Sequence, residues 1–219
     1  METVPDAEAV IEKWRIMAAR ILAAMRTILL STLAMLAFAA NSILCRLALV
    51  DGHIDAASYT SIRVLAGAVT LAAIVAAQSG GRLSAHADWR SAVALYVYMV
   101  CFSFAYLTLS AGTGALVLFG AVQLTMFTRS LMAGERFPAL AWAGLIIAIG
   151  GLVYLVLPGV SAPEPFGAAL MAAAGIAWGA YSLLGRGITD ATRATAWNFI
   201  LAAPFVVVTS LVFASNANA

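Results

Sequence analysis

Asn41, Arg63, Gln123, Trp178 and Tyr181 place hydrogen-bonding, cationic or aromatic chemistry inside stretches that are otherwise apolar. Polar groups at membrane depth are costly and usually face a cavity or another helix. Asn41 and Gln123 therefore have two open readings, a lining of a polar pathway or interhelical hydrogen-bond glue. Arg63 lies roughly 9 Å into its apolar stretch by helical rise. It either snorkels to the interface toward Asp51 and Asp55 or charges a vestibule. Trp178 and Tyr181, with Tyr96, Tyr98 and Tyr106, supply aromatic surface for packing or for stacking on a solute.

Other chemistries lack their residues. No Asp or Glu lies inside an apolar stretch, and His53 and His86 fall between stretches. No buried acid–base pair is available for an intramembrane hydrolase. Cys45 and Cys101 are single thiols on separate stretches, which implies neither a metal cluster nor a disulfide. A retinal Schiff base needs a late lysine, and the one lysine is Lys13. The expectation is a non-enzyme without cofactor or metal.

The positioning elements follow from composition. The chain of 219 residues is 63% hydrophobic and 10% charged, with a mean hydropathy of +0.98. A soluble domain carries roughly 25% charged residues, so this chain belongs in lipid. A net charge of +2 is no nucleic-acid footprint. Windows of about 20 residues, the length that crosses ~30 Å of hydrocarbon, fall at Ile28–Leu49, Ala57–Ala77, Ser91–Leu109, Gly114–Met132, Ala139–Leu157, Phe166–Leu184 and Thr195–Ser215. The breaks are short and rich in turn residues, and no sustained alternation supports a barrel. The fold class expected is an all-α membrane protein with seven transmembrane helices.

Arginines orient the bundle. With the N-terminus in the cytoplasm, Lys13, Arg15, Arg20, Arg26, Arg82, Arg90, Arg129, Arg136, Arg186 and Arg193 fall on that side. Arg46 and Arg63 lie within spans near the outer face, and the outer breaks hold only Asp51, Asp55 and Glu164 as charges. That is a positive-inside pattern. The stretch from Met25 to Asn41 has the look of a secretory signal. Its apolar run continues to Leu49, however, and it has a counterpart in mid-chain, so it is read as a retained span. Residues 1–27 are expected to be a cytoplasmic segment, with Val10, Trp14, Met17, Ile21 and Met25 on one stripe of an interfacial helix.

The counterpart is an internal repeat. LAFAANSILCR (Leu36–Arg46) aligns with IAWGAYSLLGR (Ile176–Arg186), with Ala37/Ala177, Ala40/Ala180, Ser42/Ser182, Leu44/Leu184 and Arg46/Arg186 identical. As first and sixth spans they cross in opposite directions, the pattern of an inverted-topology repeat. Gly112, Gly114, Gly120, Gly144, Ala148 and Gly151 offer small surfaces for close packing. Pro204 marks a candidate hinge, and Glu135 with Arg136 reads as a solvated pair ending the fourth helix.

FAANSILCRLAL followed by DAASYTSIRVLAGAVTL resembles the first two spans of the drug/metabolite transporter superfamily, in its EamA-like branch. GERFPALAWAGLIIAIGGLVYLVLPG (Gly134–Gly159) is similar to that family's junction of fourth and fifth spans. FGAALMAAAGIAWGAYSLLGRG resembles the start of its second repeat. The resemblance implies ten spans in a 5+5 inverted-repeat transporter bundle around a central cavity that moves small organic metabolites, by export. Residues 28–157 would be the first five-helix repeat and 166–219 two helices of the second. The three remaining spans would be lost by truncation or supplied by a second copy or partner chain. Gln123-Leu124 stands where the family often has a mid-helix proline. The partners expected are the lipid bilayer and a small solute; richness in Ala and Arg points to a GC-rich bacterial gene, hence a plasma membrane.

Reporter fusions test the orientation. A fusion after Gly134 is expected to report a cytoplasmic position and one after Ala219 the opposite face; the same face for both would break the alternation of spans.

Overall fold

In the computed structural model, residues 7–52, 54–79, 88–156 and 163–217 are described. His53, Arg82, His86 and most of the breaks at 78–90 and 158–165 lie outside them. The described residues form seven α-helices and no strand: α1 (Ala7–Val50), α2 (Ala56–Ser79), α3 (Trp89–Ala105), α4 (Ala111–Met132), α5 (Ala139–Val156), α6 (Pro165–Leu184) and α7 (Ala191–Ala217). Each expected window holds one of them.

Five of these helices are long and apolar enough to cross a membrane, the make-up of a multi-pass membrane protein. The two other helices in the seven expected windows, Trp89–Ala105 and Ala139–Gly151, are apolar but shorter among the described residues. The third window ran to Leu109, but α3 stops at Ala105. Thr108 and Leu109 turn their N–H groups back on the Ala105 carbonyl before Ser110 caps α4.

α1 is continuous through the boundary expected at 27/28, because no Gly or Pro interrupts residues 7–50. The chain divides into two compact units, Met1–Asn41 and Ser42–Ala219. In the first, residues 11–36 are exposed throughout, including Trp14, Leu22, Leu29 and Leu33.

Caps define the other helix starts. The carboxylate of Asp55 accepts from the N–H groups of Ala57 and Ser58, and that of Asp88 from Arg90 and Ser91. Glu164 accepts from Phe166 and Gly167 ahead of Pro165 in the first turn of α6. A side-chain hydrogen bond, from Ser58 or Ser91, is the largest cause that holds Asp55 and Asp88 below the usual carboxylate range. Backbone N–H groups, Gly167 first, do the same for Glu164. α4 ends in a Schellman motif, with Glu135 N–H on the Ser130 carbonyl and Gly134 N–H on Leu131. Gly134 takes φ of 82°, where a Cβ would be strained. Glu135 and Arg136 are exposed.

Within the second unit, α6 packs on α3 and α4, and α2 packs on α7. Between helices without a hydrophobic driving force, small residues permit the approach that dispersion needs. A Cβ on Gly175 would sit 2.5 Å from the Leu118 carbonyl oxygen, and one on Gly179 would sit 2.9 Å from Thr125. Gly175 and Gly179 are four residues apart on one face of α6; backbone meets backbone at the first and the Thr125 side chain fills the second. Of the glycines named from the sequence, Gly114 packs against the Tyr106 ring. Gly112, Gly144 and Gly151 would meet nothing within 4 Å, which corrects their assignment as packing surfaces.

These contacts fix relative directions. Gly175 and Gly179 meet Leu118 and Thr125 in the same order, so α4 and α6 run parallel. Ser61 bonds to Val206 while Gly67 meets Phe199, so α2 and α7 are antiparallel. Gly167 meets Thr108 while Trp178 meets Tyr98, so α3 and α6 are antiparallel too. Tyr96 meets Phe205 and Phe104 meets Phe213, so α3 and α7 are parallel, and α2, α4 and α6 run opposite to both.

Gly175→Val places branched atoms against the Leu118 backbone and is expected to destabilise the protein by roughly 1–3 kcal/mol. Gly144→Val is expected to leave it within about 0.5 kcal/mol. Thermal unfolding of the detergent-solubilised protein checks the pair; equal stabilities would contradict the backbone contact.

Candidate functional site

Arg63 is half-buried on α2 and does not reach out alone. Its guanidinium carbon lies 5.4 Å from the Tyr59 ring centre and 5.1 Å from that of Phe102. Its Nη1 donates to Ser103 Oγ over 3.4 Å. The buried Cys45 lies in the same core cluster as Phe102, with Tyr59 packed against it. A cation over aromatic faces gains about 0.5–2 kcal/mol, more where water is excluded. The geometry therefore sets the guanidinium against α2 and α3 side chains.

From Arg63 a run of rings leads across the bundle. Tyr98, Phe102 and Tyr106 recur every four residues on one face of α3, and all are buried. Phe102 meets Tyr106 edge-on at 4.8 Å and Tyr98 at 5.3 Å. Tyr98 lies 4.8 Å from Trp178 on α6, and Trp178 stacks on Tyr181 at 5.4 Å. The Tyr181 hydroxyl accepts from Asn198 Nδ2 at 3.4 Å and donates to Thr195 Oγ1 at 3.5 Å. Asn198 is 4% exposed, and its Oδ1 has no hydrogen-bond partner among the described residues. Leaving a buried acceptor unpaired costs roughly 1–3 kcal/mol. Such a group asks for an explanation, and a site for a donor atom of a solute is one.

The helices that carry this cluster are held independently of it. Ser61 Oγ donates to the Val206 carbonyl and pairs with Ser210 Oγ at 2.7 Å, locking α2 to α7. The Tyr96 hydroxyl pairs with Thr209 at 2.7 Å, joining α3 to α7. Arg46 Nη1 donates to the carbonyls of Tyr106 and Leu107, satisfying the end of α3. Arg46 is thus a cap rather than a bare interfacial anchor.

Three of the five residues singled out from sequence, Arg63, Trp178 and Tyr181, meet through Phe102 and Tyr98. Gln123 is exposed on α4 and is no part of this cluster. Asn41 closes the unit Met1–Asn41 and is half-buried there. Sequence reasoning passed over Tyr59, Phe102, Ser103 and Asn198. Asn198 lies in the last apolar window and meets the criterion that selected Asn41. Phe102 completes the four-residue spacing of Tyr98 and Tyr106. Among the described residues no group of three or more His, Cys, Asp or Glu side chains could hold a metal ion.

No known family profile matches the chain. It is 50% identical over 188 residues to the uncharacterized protein PA1977 of Pseudomonas aeruginosa, a match that covers 86% of this chain and 66% of that protein. The chain thus spans just under two thirds of this relative's length.

Proposed function

We propose that this protein is a membrane carrier of small organic solutes, amino-acid-like or drug-like, and a member of the EamA-like branch of the drug/metabolite transporter superfamily. In this reading it is no enzyme. It sits in a bacterial plasma membrane with its N-terminus in the cytoplasm and exports its solute by alternating access. The observation that carries the reading is a polar and aromatic track inside an apolar bundle, running from Arg63 through Phe102, Tyr98, Trp178 and Tyr181 to the orphan acceptor of Asn198. Its pieces suit a solute with an anionic group for Arg63, a flat or apolar body for the rings, and a donor for Asn198.

The inverted repeat belongs to this proposal. α2 and α7, second helices of the two repeats, pack antiparallel on one another, as mates across a two-fold axis in the membrane plane would. The ends of α1 and α3 lie together at Arg46 and Tyr106, whereas α6 opposes α3. That supports opposite directions for the first and sixth helices. Coupling through an intramembrane carboxylate is not part of the mechanism, because the apolar windows contain none. A second reading, a truncated non-transporting membrane fragment or a subunit that needs a partner chain, draws on the third of the relative that the match leaves uncovered.

Vesicles containing the purified protein test both. Exchange of labelled amino acids is expected without any imposed pH gradient, and Arg63→Gln is expected to lower it roughly 10–100-fold through loss of a charged hydrogen bond. Uphill accumulation driven by a pH gradient would overturn the mechanism. Flux that appears only after three further spans are appended would establish the subunit reading.

A further inference from the structure

Away from that track, α4 and α6 leave a groove of about 810 Å³ on their other side. Its walls are Ala121, Leu124 and Thr125 of α4 and Ala172, Ile176 and Ala180 of α6. From Ala172 to Leu184 it runs about 18 Å by helical rise, close to the ~15 Å depth of one leaflet. One end alone is charged. Arg90, at the start of α3, and Arg129, in the last turn of α4, both line the groove beside Met132 and Leu184. Both are exposed. Arg186 lies next to Arg129 in an adjoining recess that also holds Glu135. The other nearby carboxylate, Asp88, is occupied by the N–H groups of Arg90 and Ser91 and the Ser91 hydroxyl. Arginines outnumber carboxylates at this mouth, and the two that enter the groove carry guanidinium groups suited to bidentate contact with phosphate.

We propose that this groove binds one anionic phospholipid, its phosphate between Arg90 and Arg129 and an acyl chain along the α4–α6 seam. An apolar channel of leaflet depth with a cationic mouth matches that amphiphile at both ends, and basic pockets between transmembrane helices recognise anionic headgroups. A zwitterionic lipid matches the channel but carries its own cation to the mouth. Thr125 commits its hydroxyl to the Ala121 carbonyl, so it turns no free donor toward the chain. The lipid would brace α4 against α6, the pair that holds Trp178 and Tyr181 in place. The inference stands apart from the transport reading, since it requires no flux.

Native mass spectrometry of the full chain released from neutral detergent measures it, with phosphatidylglycerol and phosphatidylcholine of identical acyl chains as probes. Phosphatidylglycerol is expected to be retained roughly 10–30-fold better. The double variant Arg90→Gln/Arg129→Gln should abolish the preference, and Thr128→Trp, at an exposed groove position, should lower retention with both arginines intact. Equal retention of the two lipids, or an undiminished preference in the double variant, would overturn the proposal. Full competition by glycerol phosphate would overturn it as well, by making the site one for a free anion.

Discussion

The approach of α6 to α4 at Gly175 is the constraint on which the rest depends. In lipid no hydrophobic force drives helices together, so the bundle relies on dispersion between closely spaced backbones and on interhelical hydrogen bonds. With hydrogen for a side chain, Gly175 brings α6 onto the Leu118 carbonyl, and Gly179 extends the seam to Thr125. That seam sets how α6 presents Trp178 and Tyr181 to α3. It also sets the width of the groove on the opposite side. A residue with a Cβ at position 175 would move both surfaces together.

Arg63 gives the account its electrostatic centre. A cation inside an apolar bundle persists only if its surroundings replace part of its hydration. Two ring faces and a serine hydroxyl supply part of that replacement. At the far end of the ring track Asn198 contributes an acceptor with no donor among the described residues. A positive end and an acceptor end, joined by aromatic surface, make a site with polarity.

Helix number, helix order and the positions of most breaks were legible in the sequence, because apolar windows and turn residues report the bilayer directly. The ends were less so. Ser91–Leu109 reads as one apolar run, yet its last four residues turn back, since apolar composition does not distinguish a helix from a tight connection. Residues 7–27 read as a separate interfacial piece from their charges, but a run without Gly or Pro has no reason to break. For the site, Arg63, Trp178 and Tyr181 were legible as polar or aromatic groups at depth. Asn198, a polar group at depth, and Phe102, in the four-residue spacing of Tyr98 and Tyr106, carried the same kind of signal and were passed over; only their neighbours on other helices set them apart from Asn41 and Gln123. The packing glycines were misplaced for the same reason. Gly175 and Gly179 matter through what faces them, and Gly144 and Gly151 face open space.

The central claim is that the track between Arg63 and Asn198 is wetted from one side of the membrane at a time. Asn198→Cys in a Cys45→Ala/Cys101→Ala background, probed with a membrane-impermeant maleimide from each side of oriented vesicles, tests it most directly. The account predicts labelling that shifts from one face to the other when solute is supplied on the opposite side. No labelling from either face, or equal labelling from both whatever the solute, would contradict it.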